Sequence, residues 1–463
     1  MQVMATDGQH LETANQGACA FRKRCCGISQ EEPPRKIVEI DVSGQTKLHH
    51  AVKCKDAAAV LTISTNERDL VGVQDKFGQT ALHVAARWGY ADIGRMLLAE
   101  GACTHVQDRF GRTPLHLAVI WGRWAAAEVI CGNDETNRLQ DRKGRTALYY
   151  ATERGCEGIV QKLLSTRATA LDSLIEKVAE SLPDVKLVDV QDNDGDTALH
   201  MAARGGHTKI VEMLLAAGAC TRIQNRLGRT PLQLALKCRR QSTADIICEN
   251  DDAHDLQDKG GRTALHYAAK NGQAGIVRKL LFLNAHPHLM DNQGKSPLEF
   301  ALKRGDDDLV KLIMSSVVLR DIAIKWKDLN VDRDDIEYCA RLEAECIAEL
   351  QQMKGMKIER TTISYYNIVR RPVSKVAVYL ENDDVTNDPL LRGNAAQVFP
   401  NYAERIGFRV RLAAVRSMLT DQCHECFAML SKKLPCIPRT SIDKIFTLLS
   451  EREMRNFIKA FSC

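Results

Sequence analysis

The pattern Gly-x-Thr/Ser-x-Leu recurs eight times, at Gly44, Gly78, Gly111, Gly144, Gly195, Gly228, Gly261 and Gly294. The steps between copies are 34, 33, 33, 51, 33, 33 and 33 residues. Most copies continue into Ala-Ala-x-x-Gly and then Ile-Val-x-x-Leu-Leu, as in DNDGDTALHMAARGGH from Asp192. A unit this short cannot bury its own apolar face, so neighbouring units must stack into an array. Aromatics are only 5% of the chain, so the shared core has to be built from Leu, Ile, Val and Ala.

Each part of the unit has a local job. Thr46, Thr80, Thr113, Thr146, Thr197, Thr230, Thr263 and Ser296 stand where a helix N-cap is needed, and their hydroxyls suit an orphan backbone N–H. Pro114, Pro231 and Pro297 follow at the first helical position. Gly89, Gly122, Gly155 and Gly272 are placed to end the first helix. Ile210, Val211, Leu214 and Leu215 exemplify the apolar stripe of a second one.

These residues resemble the ankyrin repeat over about 40–315. The resemblance implies a hairpin-like loop and two antiparallel helices per copy, stacked into a curved solenoid. His83, His116, His200 and His266 match the family's buried histidine, whereas Tyr149, Gln233 and Glu299 replace it, and glycine is missing after Cys238. A longer periodicity lies above the first. GACTHVQDRFGRTPLHLA from Gly101 returns as GACTRIQNRLGRTPLQLA from Gly218, 117 residues on. That offset is three units plus an 18-residue insertion around Ser165 to Leu187, whose ALDSLIEKVAESL stretch reads as an extra amphipathic helix. Cys103 corresponds to Cys220 and Cys131 to Cys248, so these thiols are expected to be buried and structural.

The pattern stops after Ile313. Ile336, Cys339, Ala340, Ile347, Leu350 and Met353 have helical spacing and are expected to form the apolar face of a helix capping the array. At the far end, Leu434-Pro435 precedes one apolar helical face with Ile442, Ile445, Phe446 and Leu449, and a second with Met454, Phe457, Ile458 and Phe461. This outline resembles an F-box, although Glu453 and Met454 stand where Asp-Leu is usual and the acidic residue after the proline is absent. An F-box-like end behind ankyrin repeats looks like the PRANC domain of poxvirus and insect ankyrin proteins. The expected architecture is therefore all-α. It comprises a disordered leader over 1–36, repeats over 40–315, a helical linker or cap over 316–360, and a PRANC-like domain over 361–463 ending in the F-box-like element 434–463.

No Ser/His/Asp order, phosphate loop or paired-carboxylate spacing stands out, so no catalytic role and no cofactor are expected. Cys423-His424-Glu425-Cys426 is half a zinc site, but its surroundings have helical periodicity and the chain is read as metal-free. No apolar run reaches the ~20 residues that span a bilayer, and Met1 to Lys36 lacks a signal-peptide core. The sixteen cysteines are read as reduced thiols in a protein of the cytoplasm or nucleus, with no membrane or small-molecule partner.

Binding residues are expected on the concave face that the resemblance implies. Of the 40 positions flanking the hairpin glycines and ending the first helices, nineteen are Lys or Arg and three are acidic. Such a face attracts an acidic surface; a protein rather than nucleic acid is the expected partner, with direct polyanion binding by the basic face a weaker third reading. Phe77, Trp88, Phe110 and Trp121 lie among Arg87, Arg112, Lys143 and Arg145, the composition of an interface hot spot. The resemblance implies that Leu434, Pro435, Ile442, Ile445, Leu449, Met454 and Ile458 contact the Skp-type linker of a cullin ubiquitin ligase, with the repeats holding the substrate. The rival reading is an inhibitor that sequesters a signalling or transcription-factor partner.

Overall fold

The structure is a computed structural model and describes residues 40–131, 134–165, 187–250, 254–320, 333–371, 373–381, 383–431 and Met454. The leader, the insertion with its expected helix, and the C-terminal element apart from Met454 lie outside the described residues. Among the described residues the structure is helical, with two isolated β-bridges and no strand.

Every copy of the glycine motif opens a helix. The first helices are Lys47–Lys53, Ala81–Trp88, Pro114–Ile120, Ala147–Glu153, Ala198–Gly205, Pro231–Lys237, Ala264–Asn271 and Pro297–Leu302. Each begins at the expected threonine or serine, in extended backbone conformation. Each is followed by a second helix, for example Ala91–Ala99 after Ala81–Trp88 and Thr208–Ala216 after Ala198–Gly205. First helices pack on first helices and second on second along the array. Leu82, Leu115, Leu148, Leu199, Leu232 and Leu265, each fully buried, form one continuous core with their neighbours. Burying a leucine contributes about 1.5–3 kcal/mol, and the copies share one another's surface to achieve it.

Where another hairpin follows, a hairpin glycine is required twice over. Gly111 has φ +75°, and a Cβ there would come within 2.9 Å of the Arg142 backbone nitrogen in the next copy. That close approach is a hydrogen bond between copies: Arg142 N–H donates to the Phe110 carbonyl at 2.9 Å. Where glycine is missing after Cys238, Arg239 itself takes the left-handed conformation at φ 58°. This costs a non-glycine residue on the order of 1–2 kcal/mol.

The insertion leaves the stack intact. Helix Ala147–Glu153 packs on Ala198–Gly205 as other first helices pack on their neighbours. A glutamine row crosses the same joint. Gln74, Gln107, Gln140, Gln191, Gln224 and Gln257 each donate to the carbonyl of their own hairpin glycine, and again to a carbonyl of the next copy. Gln140 reaches the Gln191 carbonyl at 3.1 Å, although 51 residues separate them.

Helix Arg333–Gly355 belongs to two cores. Cys339 and Leu342 join the array's core, while Cys346, Leu350 and Met353 join a second cluster with Tyr365, Ile368, Phe399, Tyr402 and Ile406. Its buried face is Cys339, Leu342, Cys346, Glu349, Leu350 and Met353. The expected face is corrected here: Ile347 is 42% exposed, Ala340 is exposed and Ile336 only half-buried. Seven-residue spacing from Cys339 through Cys346 to Met353 keeps one stripe facing both cores, and Ile347 falls off that stripe. Glu349 is buried because it caps another helix, accepting the N–H groups of Asn401 and Tyr402 ahead of Ala403–Ser431. Burial pushes its carboxyl up, against the pull of those hydrogen bonds.

The cysteines divide. Cys131 and Cys248 are buried, but Cys103 and Cys220 are half-buried, so complete burial does not extend to that pair. Cys423 and Cys426 fall within helix Ala403–Ser431, and their side chains lie outside the described ones. No group of three His, Cys, Asp or Glu that could hold a metal occurs among the described residues.

Candidate functional site

An internal network holds each hairpin loop. Asp108 Oδ1 accepts the backbone N–H groups of Phe110 and Arg112, at 2.8 and 2.9 Å, closing the turn around Gly111. Asp75, Asp141, Asp192, Asn225, Asp258 and Asp291 do the same in their own copies. These loops project Phe77 and Phe110 at 54% and 56% exposure. The ends of the first helices project Trp88 and Trp121 at 52% and 49%. All four therefore lie on the outside of two consecutive copies, and none contributes to the core cluster.

The four cations predicted beside them separate into two kinds. The Arg87 guanidinium lies 5.2 Å from the centre of the Trp121 ring in the next copy, and Lys143 is exposed. Arg112 and Arg145 are largely committed inward. Arg112 grips buried Asp108 through Nε and Nη2, at 3.0 and 2.8 Å, while stacking over Phe110 at 4.5 Å. Arg145 reaches Asp192 of the next copy at 3.3 Å and stacks on Tyr149 and Tyr150. Arg229 and Arg262 similarly face Asp258 and Asp291. The counted basic excess is thus partly cancelled by buried aspartates; of these four cations Arg87 and Lys143 keep their charge outward, alongside exposed Lys76, Arg109 and Arg142 on the hairpins of the same copies. One joint is inverted: Asp196 replaces the arginine, and Asn225 replaces the facing aspartate and donates to it at 2.7 Å. An aspartate at 225 would set two carboxylates against each other.

The histidines are structural. His83 Nδ1 accepts the Thr80 N–H at 3.1 Å, which places the proton on Nε2, and Nε2 donates to the Arg112 carbonyl at 3.1 Å. His116, His200 and His266 repeat the arrangement, and so does His49, which the sequence reading missed. Burial drives all five below the ordinary imidazole value, His83 to about 4. Gln233 does the same work without a titratable group, accepting from Thr230 N–H and donating to the Arg262 carbonyl. Glu299 accepts from Ser296 N–H in the last copy. Among the described residues no further hairpin follows there to require a donor. A neutral imidazole held between two backbone groups is a fastener, not a base.

Met454 is fully buried, and the other residues expected to contact a linker protein lie outside the described residues. No helix among the described residues is long and apolar enough to cross a membrane.

The family profile for ankyrin repeats, in three copies, matches residues 26–108, 48–139, 100–173, 167–255 and 247–324. Neurogenic locus notch homolog protein 1 of Homo sapiens is 41% identical over 59 residues, 13% of this chain and 2% of that protein. Transcription factor MBP1 of Kluyveromyces lactis is 38% identical over 64 residues, 13% of this chain and 8% of that protein. The crystal structure of the ankyrin repeat domain of Bcl-3, a member of the IkappaB family, aligns with 23% identity and a TM-score of 0.37. That alignment covers 58% of this chain and 97% of the Bcl-3 domain. The chain spans under a tenth of the length of these curated relatives. Such repeats are in general non-enzymatic scaffolds that bind proteins, and with matches running from residue 26 to 324 this chain belongs to the ankyrin-repeat family.

Proposed function

We propose that the protein is a recruiting adaptor. Its ankyrin array captures a protein substrate with an acidic surface, and its C-terminal element, over 434–463, engages the Skp-type linker of a cullin ubiquitin ligase. The observation that carries the capture half is the exposure of Phe77, Trp88, Phe110 and Trp121 on adjacent copies, beside Arg87 and Lys143. Large apolar rings held outside a core, on a rigid scaffold, make interface anchors because their desolvation is reserved for a partner. The ligase half rests on the resemblance of Leu434-Pro435 and the two apolar faces after it to an F-box.

Affinity purification from cells tests both halves. The full chain is expected to co-purify the linker and cullin subunits, and deletion of 434–463 is expected to abolish that recovery while retaining substrate. Trp88→Ala and Trp121→Ala are expected to retain the linker and weaken substrate capture roughly 30-fold, corresponding to ~2 kcal/mol per anchor. Unchanged linker recovery after the deletion would sink the adaptor reading. Substrate capture by a full chain that brings down no linker would favour sequestration.

A further inference from the structure

A second polar site lies at the seam between the array and the C-terminal helices. A groove of about 540 Å³ is lined there by Asn284, His286, His288, Arg320, Arg370 and Arg405. Arg405 is only 6% exposed. Its Nη1 donates to Ser316 Oγ at 3.3 Å and more weakly to the Leu281 carbonyl, while its Nε is buried without a partner. Arg370 donates to the Leu319 carbonyl at 2.7 Å, and Arg320 to the Asn284 carbonyl and to His286 Nδ1.

Charge compensation is incomplete. Among the described residues no carboxylate lies within 4 Å of Arg320, Arg370 or Arg405. Asp255, whose charge acts on Arg320, accepts the His286 backbone N–H at 2.7 Å and sits 3.8 Å from that ring. The arginines instead meet backbone carbonyls at the ends of helices Ala274–Phe282 and Asp307–Leu319. A helix C-terminus supplies about half a negative charge, too little to neutralise a buried guanidinium. Desolvation lowers Arg405 to about 10, a value that still leaves it cationic at neutral pH. A buried charge that is hydrogen-bonded but not neutralised is costly, and an anion in the groove would relieve it.

We propose that this seam groove binds a small soluble anion carrying more than one phosphate group. Guanidinium forks match phosphate oxygens, and the groove is larger than a single phosphate needs. The site is separate from the aromatic hairpin edge, and its occupant would brace the C-terminal helices against the array.

Calorimetric titration of the full chain tests this with pyrophosphate, with inositol hexakisphosphate, and with phosphoinositide-bearing vesicles. Binding of at least one soluble probe is expected. Arg320→Gln and Arg370→Gln are each expected to weaken it roughly tenfold or more, as loss of a charge-assisted contact does. Arg142→Gln, on the hairpin edge, is expected to leave it unchanged. Arg370 is exposed, so Arg370→Gln keeps the test valid if Arg320→Gln impairs folding. Absence of binding by both soluble probes, binding to vesicles only, or equal weakening by Arg142→Gln would each overturn the proposal.

Discussion

His83→Gln separates the hydrogen-bonding role of the buried histidines from their titration. Gln233 shows in the same array that glutamine can span the two backbone groups, so the variant is expected to fold with its fasteners intact. Its pH response is expected to differ. His83 is held near 4 in the folded chain against 6.5 for the free side chain, because burial disfavours the charged ring. Its folded value lies below its unfolded one, so the unfolded chain takes up the proton first as pH falls. The stability at stake is complete above about pH 6.5 and is lost progressively down to the folded value near 4. At 1.36 kcal/mol per unit, the loss reaches about 2 kcal/mol at pH 5 and about 3 kcal/mol when complete. Urea unfolding of both proteins at pH 7 and pH 5 measures it. Native-state hydrogen exchange over Ala81–Trp88 supplies a local reading, since stacked repeats need not unfold in one step. His83→Gln should gain about 2 kcal/mol on the wild type between the two conditions. A gap that stays the same at both pH values would refute the assignment of a neutral, Nε2-protonated His83.

Three further outcomes are expected. Arg239→Gly should raise stability by about 1 kcal/mol, since glycine adopts the left-handed conformation without the Cβ penalty, and a melting temperature that falls would contradict this. Glu349→Ala should destabilise by at least ~2 kcal/mol, because it strands the buried N–H groups of Asn401 and Tyr402, whereas Glu349→Gln should recover part of that loss; equal denaturation midpoints for all three proteins would exclude the cap. Metal analysis of the purified chain should find no stoichiometric zinc, and about one zinc per chain, lost in Cys423→Ser, would establish the site that the helical reading of Cys423 and Cys426 disfavours.

The sequence by itself determined the repeat, its period and the helix boundaries. Those features are set by chemistry within a few residues: a hydroxyl three positions ahead of the N–H it caps, a proline at the first helical turn, a glycine where the chain must turn left-handed. The glutamine row was equally legible, since Gln74 to Gln257 keep the same steps as the glycines, but glutamine in a loop carries no local signature of its purpose. What tertiary structure alone decided lies between copies. Arg145 reads as a free groove cation in sequence, and only stacking brings Asp192 to it across the insertion and leaves Arg87 over Trp121. His49 and Gln233 became recognisable as fasteners only when the Gln79 and Arg262 carbonyls of the next copies came within reach. Ile347 has helical spacing with Leu350 yet faces water, because a periodic pattern gives the possible apolar stripes and the two packed cores choose among them.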